Sequence, residues 1–209
     1  LLVDSPGGTV DGTQAAAQAV RAAREKKPMA TVADGIMASG GYWIGSAAGQ
    51  VYIVDETTSV GSIGVVATHE DWSKYEEKLG VKTTEITAGK YKRIASEYSP
   101  LSEEGRANIQ ERVDQIYTVF VNEISVNRGV SVDTVLKDMA DGRLFIGQKS
   151  VENGLVDGIK TLDEVIKLLN NPESSGASAS TAASPTSSST AAGVSVAMYL
   201  PGRTPCSRA

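Results

Sequence analysis

Three short segments of the chain carry residue types that together could hydrolyse an acyl bond. Ser39 lies in the run Met-Ala-Ser-Gly-Gly-Tyr at residues 37–42, Lys92 ends the run Gly-Lys-Tyr-Lys, and a glycine turn, Asp-Ser-Pro-Gly-Gly, occupies residues 4–8. A serine can attack a carbonyl, a lysine can accept its proton, and the N–H groups of a glycine loop can bind the resulting oxyanion. The chain has a single histidine, His69, so a Ser-His-Asp triad would depend on that residue alone. The pattern therefore predicts a hydrolase that activates its serine without histidine.

The sequence around Ser39 favours a hydroxyl exposed at a strand-to-helix turn. Two glycines and an apolar run, Tyr-Trp-Ile, follow it, so the Gly40 N–H and the positive end of a helix would face the same space. Serine before a helix most often serves as the N-cap. Taken alone, the sequence around Ser39 would favour the N-cap interpretation.

The glycine turn at residues 4–8 follows a strand signal and precedes a helix signal. In parallel sheets active sites form at that end of the strands, and paired glycines let the backbone approach a substrate closely. The turn lacks the Gly-Lys-Ser/Thr ending of a phosphate-binding loop, so nucleotide binding is not predicted. A plain strand-to-helix turn is the alternative.

Lys92 is the candidate base. A lysine in water is protonated at neutral pH, and burial or a hydroxyl partner in a dry pocket favours the neutral amine. Lys90 and Arg93 lie close by in the sequence, and their like charge favours the same form. Most lysines in such clusters are solvated surface residues, and Lys90 competes with Lys92 for the role.

The elements that would position these residues alternate between strand and helix. Strand signals cover residues 1–4, 29–33, 51–54 and 82–87, and helix signals cover residues 13–26, 38–48, 71–79, 102–127 and 131–139. Gly80 is expected to cap one helix and Ser102 to open another. This alternation predicts an α/β fold with a largely parallel sheet covered by helices.

Composition divides the chain into a folded domain and a tail. The 209 residues are 41% hydrophobic, which is enough for one domain with a core. Residues 170–209 are rich in Ser, Ala and Thr and are predicted to be disordered, so residues 1–169 form the predicted domain. The chain begins within an apolar strand pattern and without methionine, which predicts a fragment that lacks its N-terminal segment.

Charge and cysteine content argue against several classes of protein. The 20 Lys and Arg residues against 25 Asp and Glu give a net charge of −5, with no basic stripe for nucleic acid. The single cysteine, Cys206, lies in the tail, so neither a disulfide framework nor a cysteine-based metal site is predicted. No apolar run reaches the roughly 18 residues that span a bilayer. A membrane anchor is therefore expected only in a missing N-terminal segment.

Five ordered motifs resemble the signal peptide peptidase A (protease IV) family. They are Asp-Ser-Pro-Gly-Gly (4–8), Ala-Ser-Gly-Gly-Tyr-Trp (38–43), Val-Gly-Ser-Ile-Gly (60–64), Gly-Lys-Tyr-Lys (89–92) and Pro-Leu-Ser-Glu-Glu (100–104). The resemblance extends from Leu1 to about Leu169 and implies a Clp/crotonase-type fold of repeated ββα units. It implies a Ser/Lys-dyad serine endopeptidase that needs no cofactor or metal, binds extended peptides and assembles into homo-oligomeric rings.

Individual roles follow from the same resemblance. Ser39 corresponds to the nucleophile and Lys92 to the general base, while Ser62 corresponds to the serine that hydrogen-bonds the lysine amine. Gly8 and Gly40 correspond to the oxyanion-hole donors. The segment around Lys92 and residues 138–148 are closest to phage and prophage members that process capsid proteins. Such a role would place the protein in the cytoplasm or the phage prohead, whereas a signal peptide peptidase with a lost anchor would be membrane-associated.

Three other functions stay open on the sequence alone. The same fold could place an acyl-CoA thioester in the glycine-lined oxyanion hole, with a Glu or Asp base. A Ser39-His69-Asp triad is a second possibility, although His69 would more simply be a solvent-facing or capping residue. The third is a scaffold or assembly module with a degenerate peptidase fold.

Overall fold

The computed structural model describes residues 1–170. Cys206 and residues 171–209 of the predicted tail lie outside the described residues, whereas Asn170, which is predicted to belong to the tail, ends a helix. The chain divides into two compact units: the first comprises Leu1–Gly64 and the chain from Phe120 onward, and the second comprises Val65–Val119. Within residues 1–170, no helix combines the length and apolar character that a membrane crossing requires.

Strands and helices alternate along the described chain. The strands are β1 (Leu2–Ser5), β2 (Ala30–Ala38), β3 (Gln50–Ile53), β4 (Ser59–Gly61), β5 (Leu144–Ile146) and β6 (Gly158–Ile159). The helices are α1 (Thr13–Arg24), α2 (Gly40–Ser46), α3 (Ser73–Leu79), α4 (Glu103–Arg128), α5 (Val132–Asp138), α6 (Gly147–Glu152) and α7 (Leu162–Asn170). All six strands belong to the first unit.

The sheet is mostly parallel and curls around β2. The first half of β2 pairs with β3 and its second half pairs with β4, while β1 pairs along it with a register shift. The change of partner falls at Asp34 and Gly35, where both residues are exposed and Gly35 has a φ of +82°. β5 pairs antiparallel with β4 and closes the edge of the sheet. The structure confirms the predicted α/β class and its largely parallel sheet.

Buried aromatic residues fix α2 within the first unit. Trp43 stacks on Phe120 of α4 with ring centroids 4.4 Å apart and an interplanar angle of 9°. The Tyr42 hydroxyl donates a hydrogen bond of 2.8 Å to the Leu155 carbonyl. Both aromatic side chains of α2 are fully buried, as the apolar run after Ser39 predicted. The helix α2 is therefore packed into the core of the first unit.

The second unit contains α3, the first part of α4 and much irregular chain. Gly80 ends α3 in the left-handed conformation, with φ +70°, and the Ser102 hydroxyl accepts a 3.0 Å hydrogen bond from the Gly105 N–H. Both capping predictions are confirmed. The prediction of a strand at residues 82–87 is wrong: these residues are irregular and exposed. Within the described part of the second unit there is no strand with which they could pair.

Candidate active site

Ser39 occupies a strained turn between β2 and α2. Its backbone has φ 52° and ψ −123°, and it is only 6% exposed. Its N–H donates a 2.8 Å hydrogen bond to the Gly61 carbonyl at the end of β4. Ser39 stands at the N-cap position of α2, yet its side chain makes no capping hydrogen bond within the described helix. The alternative interpretation, that Ser39 caps the helix through its side chain, is therefore not supported.

The glycine loop at residues 4–8 packs directly on this turn. Gly7 has a φ of +102°, and a Cβ placed on it would lie 2.7 Å from the Ser39 Cβ and 3.1 Å from the Gly40 nitrogen. A side chain at residue 7 is thus excluded both by the backbone conformation and by lack of space. Gly8 borders open space, since a Cβ there would meet nothing within 4 Å.

The first residues of α2 complete this contact. Gly40 and Gly41 begin the helix, where the backbone N–H groups have no acceptor within the helix itself. A Cβ on Gly41 would lie 3.0 Å from the Ser5 carbonyl oxygen. The chain therefore brings the glycine loop, Ser39 and the start of α2 together in the first unit.

Ser62 follows β4 directly and belongs to the same unit. Its backbone φ is 49°, and its N–H donates a 2.7 Å hydrogen bond to the Arg143 carbonyl. The residue before it, Gly61, accepts the Ser39 N–H. The end of β4 therefore links Ser39 and Ser62 through neighbouring peptide groups, as expected if both serve one site.

Backbone strain falls at two predicted site residues and beside a third. In residues 1–170, three residues other than glycine have a left-handed φ, and they are Ser39, Ser62 and Arg93, which follows Lys92. Each such conformation costs on the order of 1–3 kcal/mol and persists where the surroundings enforce it. Such residues cluster at active sites and ligand clamps.

Lys92 and its competitor Lys90 lie in the second unit and differ in their partners. The Lys90 ammonium pairs with Glu104 at 2.7 Å and donates to the Tyr91 hydroxyl at 3.1 Å. The hydrogen bond to Glu104 and then that to Tyr91 raise the pKa of Lys90, which keeps it charged. Lys92 is exposed, and its backbone N–H closes a turn on the Gly89 carbonyl. Lys90 is therefore poorly suited to act as a base.

The chain that carries Lys92 is held by a polar network. Arg93 donates a hydrogen bond to Glu85. Hydrogen bonds from Ser96 and then Arg93 lower the pKa of the Glu85 carboxyl. His69 lies in the same network, with its Nε2 atom 2.9 Å from the Ser96 carbonyl oxygen. A backbone carbonyl, rather than a carboxylate, is therefore the hydrogen-bond partner of this ring nitrogen.

Comparison with known proteins decides the family. Residues 21–175 match the model of peptidase family S49. The chain belongs to this family. The predicted resemblance is confirmed, because the matching proteins include relatives named as a signal peptide peptidase, a protease 4 and a phage capsid assembly protease.

Individual relatives cover most of this chain. The "Putative protease MJ0651" of Methanocaldococcus jannaschii is 36% identical over 83% of this chain and 57% of its own length. The "Putative signal peptide peptidase SppA" of Enterococcus faecium is 35% identical over 81% of this chain and 49% of its own. The "Capsid assembly protease C" of Escherichia phage lambda is 31% identical over 81% and 38%. The chain thus spans roughly half the length of the first two relatives and less of the third.

Sequence reasoning overlooked Ser5 within the glycine turn. Its hydroxyl accepts a 3.2 Å hydrogen bond from the Gly7 N–H. This contact between a serine side chain and the backbone two residues later is an ST-turn. The signal was present in the sequence, since a serine two residues before a glycine that closes a turn commonly makes this contact. The left-handed conformation of Ser39 carried no such signal, because serine has no marked preference for it.

Proposed function

We propose that this protein is a serine endopeptidase with a Ser39/Lys92 dyad, built as one peptidase domain of the Clp/crotonase type. The observation that carries the proposal is the strained, non-capping Ser39 in contact with a glycine loop that excludes any side chain at Gly7. Strain of this kind is expected where the chain must hold a nucleophile in one orientation. Membership of peptidase family S49 supports the same chemistry.

The proposed reaction proceeds through an acyl-enzyme. The Ser39 Oγ bonds to the carbonyl carbon of the substrate while the Lys92 amine takes its proton, and Lys92 then gives that proton to the leaving amine. Water attacks the ester with Lys92 again as the base, which releases the new carboxylate and restores Ser39. The N–H groups of Gly8 and Gly40 bind the oxyanion, each contributing on the order of 3 kcal/mol. Ser62 accepts a hydrogen bond from the Lys92 amine and orients it.

The partners of the two lysines support Lys92 as the base. Glu104 holds Lys90 as an ammonium ion, whereas Lys92 forms no ion pair with a carboxylate of the described residues. The exposed Lys92 amine must lose its water before it can act as a base. A bound peptide or a neighbouring subunit would provide that dry environment.

The substrate class and the assembly belong to the same proposal. Relatives named for signal peptides and for capsid assembly support a protein or peptide substrate bound in an extended conformation. The second unit exposes large apolar side chains at Trp72, Tyr75, Leu79 and Ile86. Such surfaces mark interaction sites, which supports a homo-oligomeric ring.

Covalent labelling of the nucleophile tests the dyad. The wild-type protein, Ser39→Ala, Lys92→Ala and the matched control Lys90→Ala are treated with a fluorophosphonate and weighed intact by mass spectrometry. We expect one adduct on the wild type and on Lys90→Ala, and none on Ser39→Ala or Lys92→Ala within the same time. Peptide turnover by the four proteins should follow the same order.

The opposite outcomes are equally informative. An undiminished adduct on Lys92→Ala would exclude lysine as the base. Loss of labelling in His69→Gln, a variant that should otherwise behave as the wild type, would favour a histidine triad instead. A folded wild-type protein that takes up no probe and cleaves no peptide would contradict the peptidase proposal.

A further inference from the structure

Ser5 lies between the two backbone segments that would bind the oxyanion. It is the last residue of β1 and pairs with Met37 of β2, close to the Ser39 turn. The register shift between Val3 and Ser5 produces this placement, because β2 carries extra residues opposite Asp4. The proposed mechanism gives Ser5 itself no chemical step.

The side chain of Ser5 contacts the loop that carries Gly8. Its Oγ accepts the 3.2 Å hydrogen bond from the Gly7 N–H. This bond fixes the direction of the peptide group before Gly7, and with it the conformation of a glycine that would otherwise have wide freedom. The position of the following residue, Gly8, depends directly on that conformation.

The same residue also packs against the start of α2. A Cβ placed on Gly41 would lie 3.0 Å from the Ser5 carbonyl oxygen, 3.1 Å from its Cβ and 3.2 Å from its Oγ. The backbone of Gly41, adjacent to the proposed donor Gly40, therefore lies close against Ser5. One residue thus touches both segments, and each segment carries one proposed donor.

We propose that Ser5 is a positioning residue that sets the distance between the oxyanion donors Gly8 and Gly40. The inference rests on the proposed function and extends it. The hydroxyl holds the glycine loop, while the backbone and Cβ of Ser5 hold the start of α2. Without the hydroxyl the Gly7 N–H loses its acceptor, and the loop is free to move away from α2.

The effect should fall on the chemical step. The oxyanion exists in the transition state and not in the bound substrate, so a displaced donor lowers kcat and leaves KM nearly unchanged. A displacement of about 1 Å is sufficient for a loss of roughly 100-fold. We therefore expect Ser5→Ala to lower kcat by roughly 10- to 100-fold.

The experiment compares Ser5→Ala with the wild type and with Ser150→Ala. Ser150 is the control for loss of a serine hydroxyl elsewhere in the same unit, because its buried hydroxyl donates a 2.6 Å hydrogen bond to the Gly147 carbonyl. The measurements are kcat and KM on a peptide substrate, inhibition by a peptide aldehyde, and the thermal midpoint. The aldehyde forms a tetrahedral adduct with the serine, so its inhibition constant should rise by the factor by which kcat/KM falls.

The outcomes separate this inference from the proposed function. Ser5→Ala with Ser39-dependent turnover and wild-type kcat and aldehyde inhibition would overturn the role of Ser5 alone. A loss that merely follows the thermal midpoint, as in Ser150→Ala, would overturn it as well. If Ser5→Ala does not fold, Ser5→Cys keeps a side-chain atom with weak acceptor strength and should show the same loss of kcat. Absence of any Ser39-dependent turnover in the wild type would overturn both proposals.

Discussion

At the scale of single residues, the nucleophile turn combines strain with close packing. The Ser39 N–H is held by Gly61 and that of Ser62 by Arg143, and these bonds help to offset the cost of two left-handed residues. The fold itself does not require a serine at either position, because a glycine would adopt the same positive φ without strain. It is therefore expected to lower stability in favour of function.

Two separate substitutions of Ser39, by glycine and by alanine, distinguish the effect of backbone strain from the loss of the hydroxyl. Ser39→Gly and Ser39→Ala both remove the hydroxyl and should both be inactive, but only glycine relieves the backbone. The relief of on the order of 1–3 kcal/mol exceeds the added chain entropy of about 0.4–1 kcal/mol. We expect the free energy of unfolding of Ser39→Gly to exceed that of Ser39→Ala by about 1 kcal/mol in urea titrations. Equal stability of the two variants would show that the turn is not strained.

Gly7 allows a test of the contact between the loop and the turn. In Gly7→Ala the new methyl group would meet the Ser39 Cβ at 2.7 Å, so loop and turn must separate and activity should be lost. Gly12→Ala is the matched control, since Gly12 also has a positive φ, +81°, but open space around it. The control should lose about 1 kcal/mol of stability and keep its turnover. Comparable turnover of the two variants would contradict the assigned contact.

At the scale of elements, the end of α4 is joined to β3 through an ion pair between the buried Arg128 and the exposed Asp157. The Arg128 guanidinium binds both carboxylate oxygens of Asp157, at 2.7 and 3.1 Å, and its Nε donates to the Gly154 carbonyl. Asp157 in turn accepts the Val51 N–H at 2.7 Å. The Arg128 side chain is 6% exposed, and all three of its guanidinium nitrogens donate hydrogen bonds.

Lysine cannot reproduce this arrangement. Arg128→Lys keeps the charge and loses the fork, and because water screens the exposed Asp157 we expect the free energy of unfolding to fall by only about 1–2 kcal/mol. Arg143→Lys is the control, because Arg143 pairs with Asp141 on the surface, is 71% exposed and should tolerate the change. Urea titrations of both variants measure the difference. If Arg143→Lys loses as much free energy of unfolding as Arg128→Lys, burial of the Arg128 side chain is not the cause of the loss.

The buried hydroxyl of Tyr42 makes the stability of the protein depend on alkaline pH. Burial, supported by Asp157 and opposed by Arg128, raises the pKa of Tyr42 far above its ordinary value near 10. Its contribution to stability is complete below about pH 10. Above that pH the unfolded chain loses the proton and the folded chain keeps it, so stability falls by about 1.4 kcal/mol per pH unit.

Tyr42→Phe should remove the contribution of Tyr42 to the loss of stability at alkaline pH. At pH 7 the variant should be less stable by about 1–2 kcal/mol, because the buried Leu155 carbonyl loses its donor. From pH 10 to 11 the wild type should lose stability faster than the variant, so the difference between them narrows. Urea titrations across this range give both slopes, and parallel slopes would contradict the raised pKa.

The elements were predictable where their signals were local. Apolar periodicity, Gly80 and Ser102 located α3 and the start of α4, whereas the continuation of β2 to Ala38 was missed. That extension depends on pairing with β4, a contact between distant residues that no local pattern shows. The strand prediction at residues 82–87 failed for the converse reason, because a strand needs a neighbouring strand with which to pair. The motifs predicted the glycine loop and Ser39 as site residues, but no local pattern shows the positive φ of Ser39, whose N–H bonds to Gly61, a residue distant in the sequence.

At the scale of the whole molecule, the second unit leaves large apolar side chains in water. Ile86 is 95% exposed, and Trp72, Tyr75, Leu79 and Val81 are about half exposed. Large exposed apolar patches are rare on soluble monomers, and complete burial of Ile86 alone would gain about 1.5–3 kcal/mol, with smaller gains from the half-exposed side chains. Assembly through this apolar surface would bury it.

Ile86→Glu tests that assembly and its link to activity. A carboxylate in an apolar interface is costly, so the variant should sediment as a smaller species than the wild type at equal concentration. If a neighbouring subunit dries the site around Lys92, turnover per chain should fall with the loss of assembly and recover at higher protein concentration. Val126→Glu, which changes an exposed valine of α4 in the first unit, is the control for added charge. Ile86→Glu with the sedimentation and turnover of the wild type would show that this surface is not the interface. A smaller species with full turnover would show instead that one chain completes the site by itself.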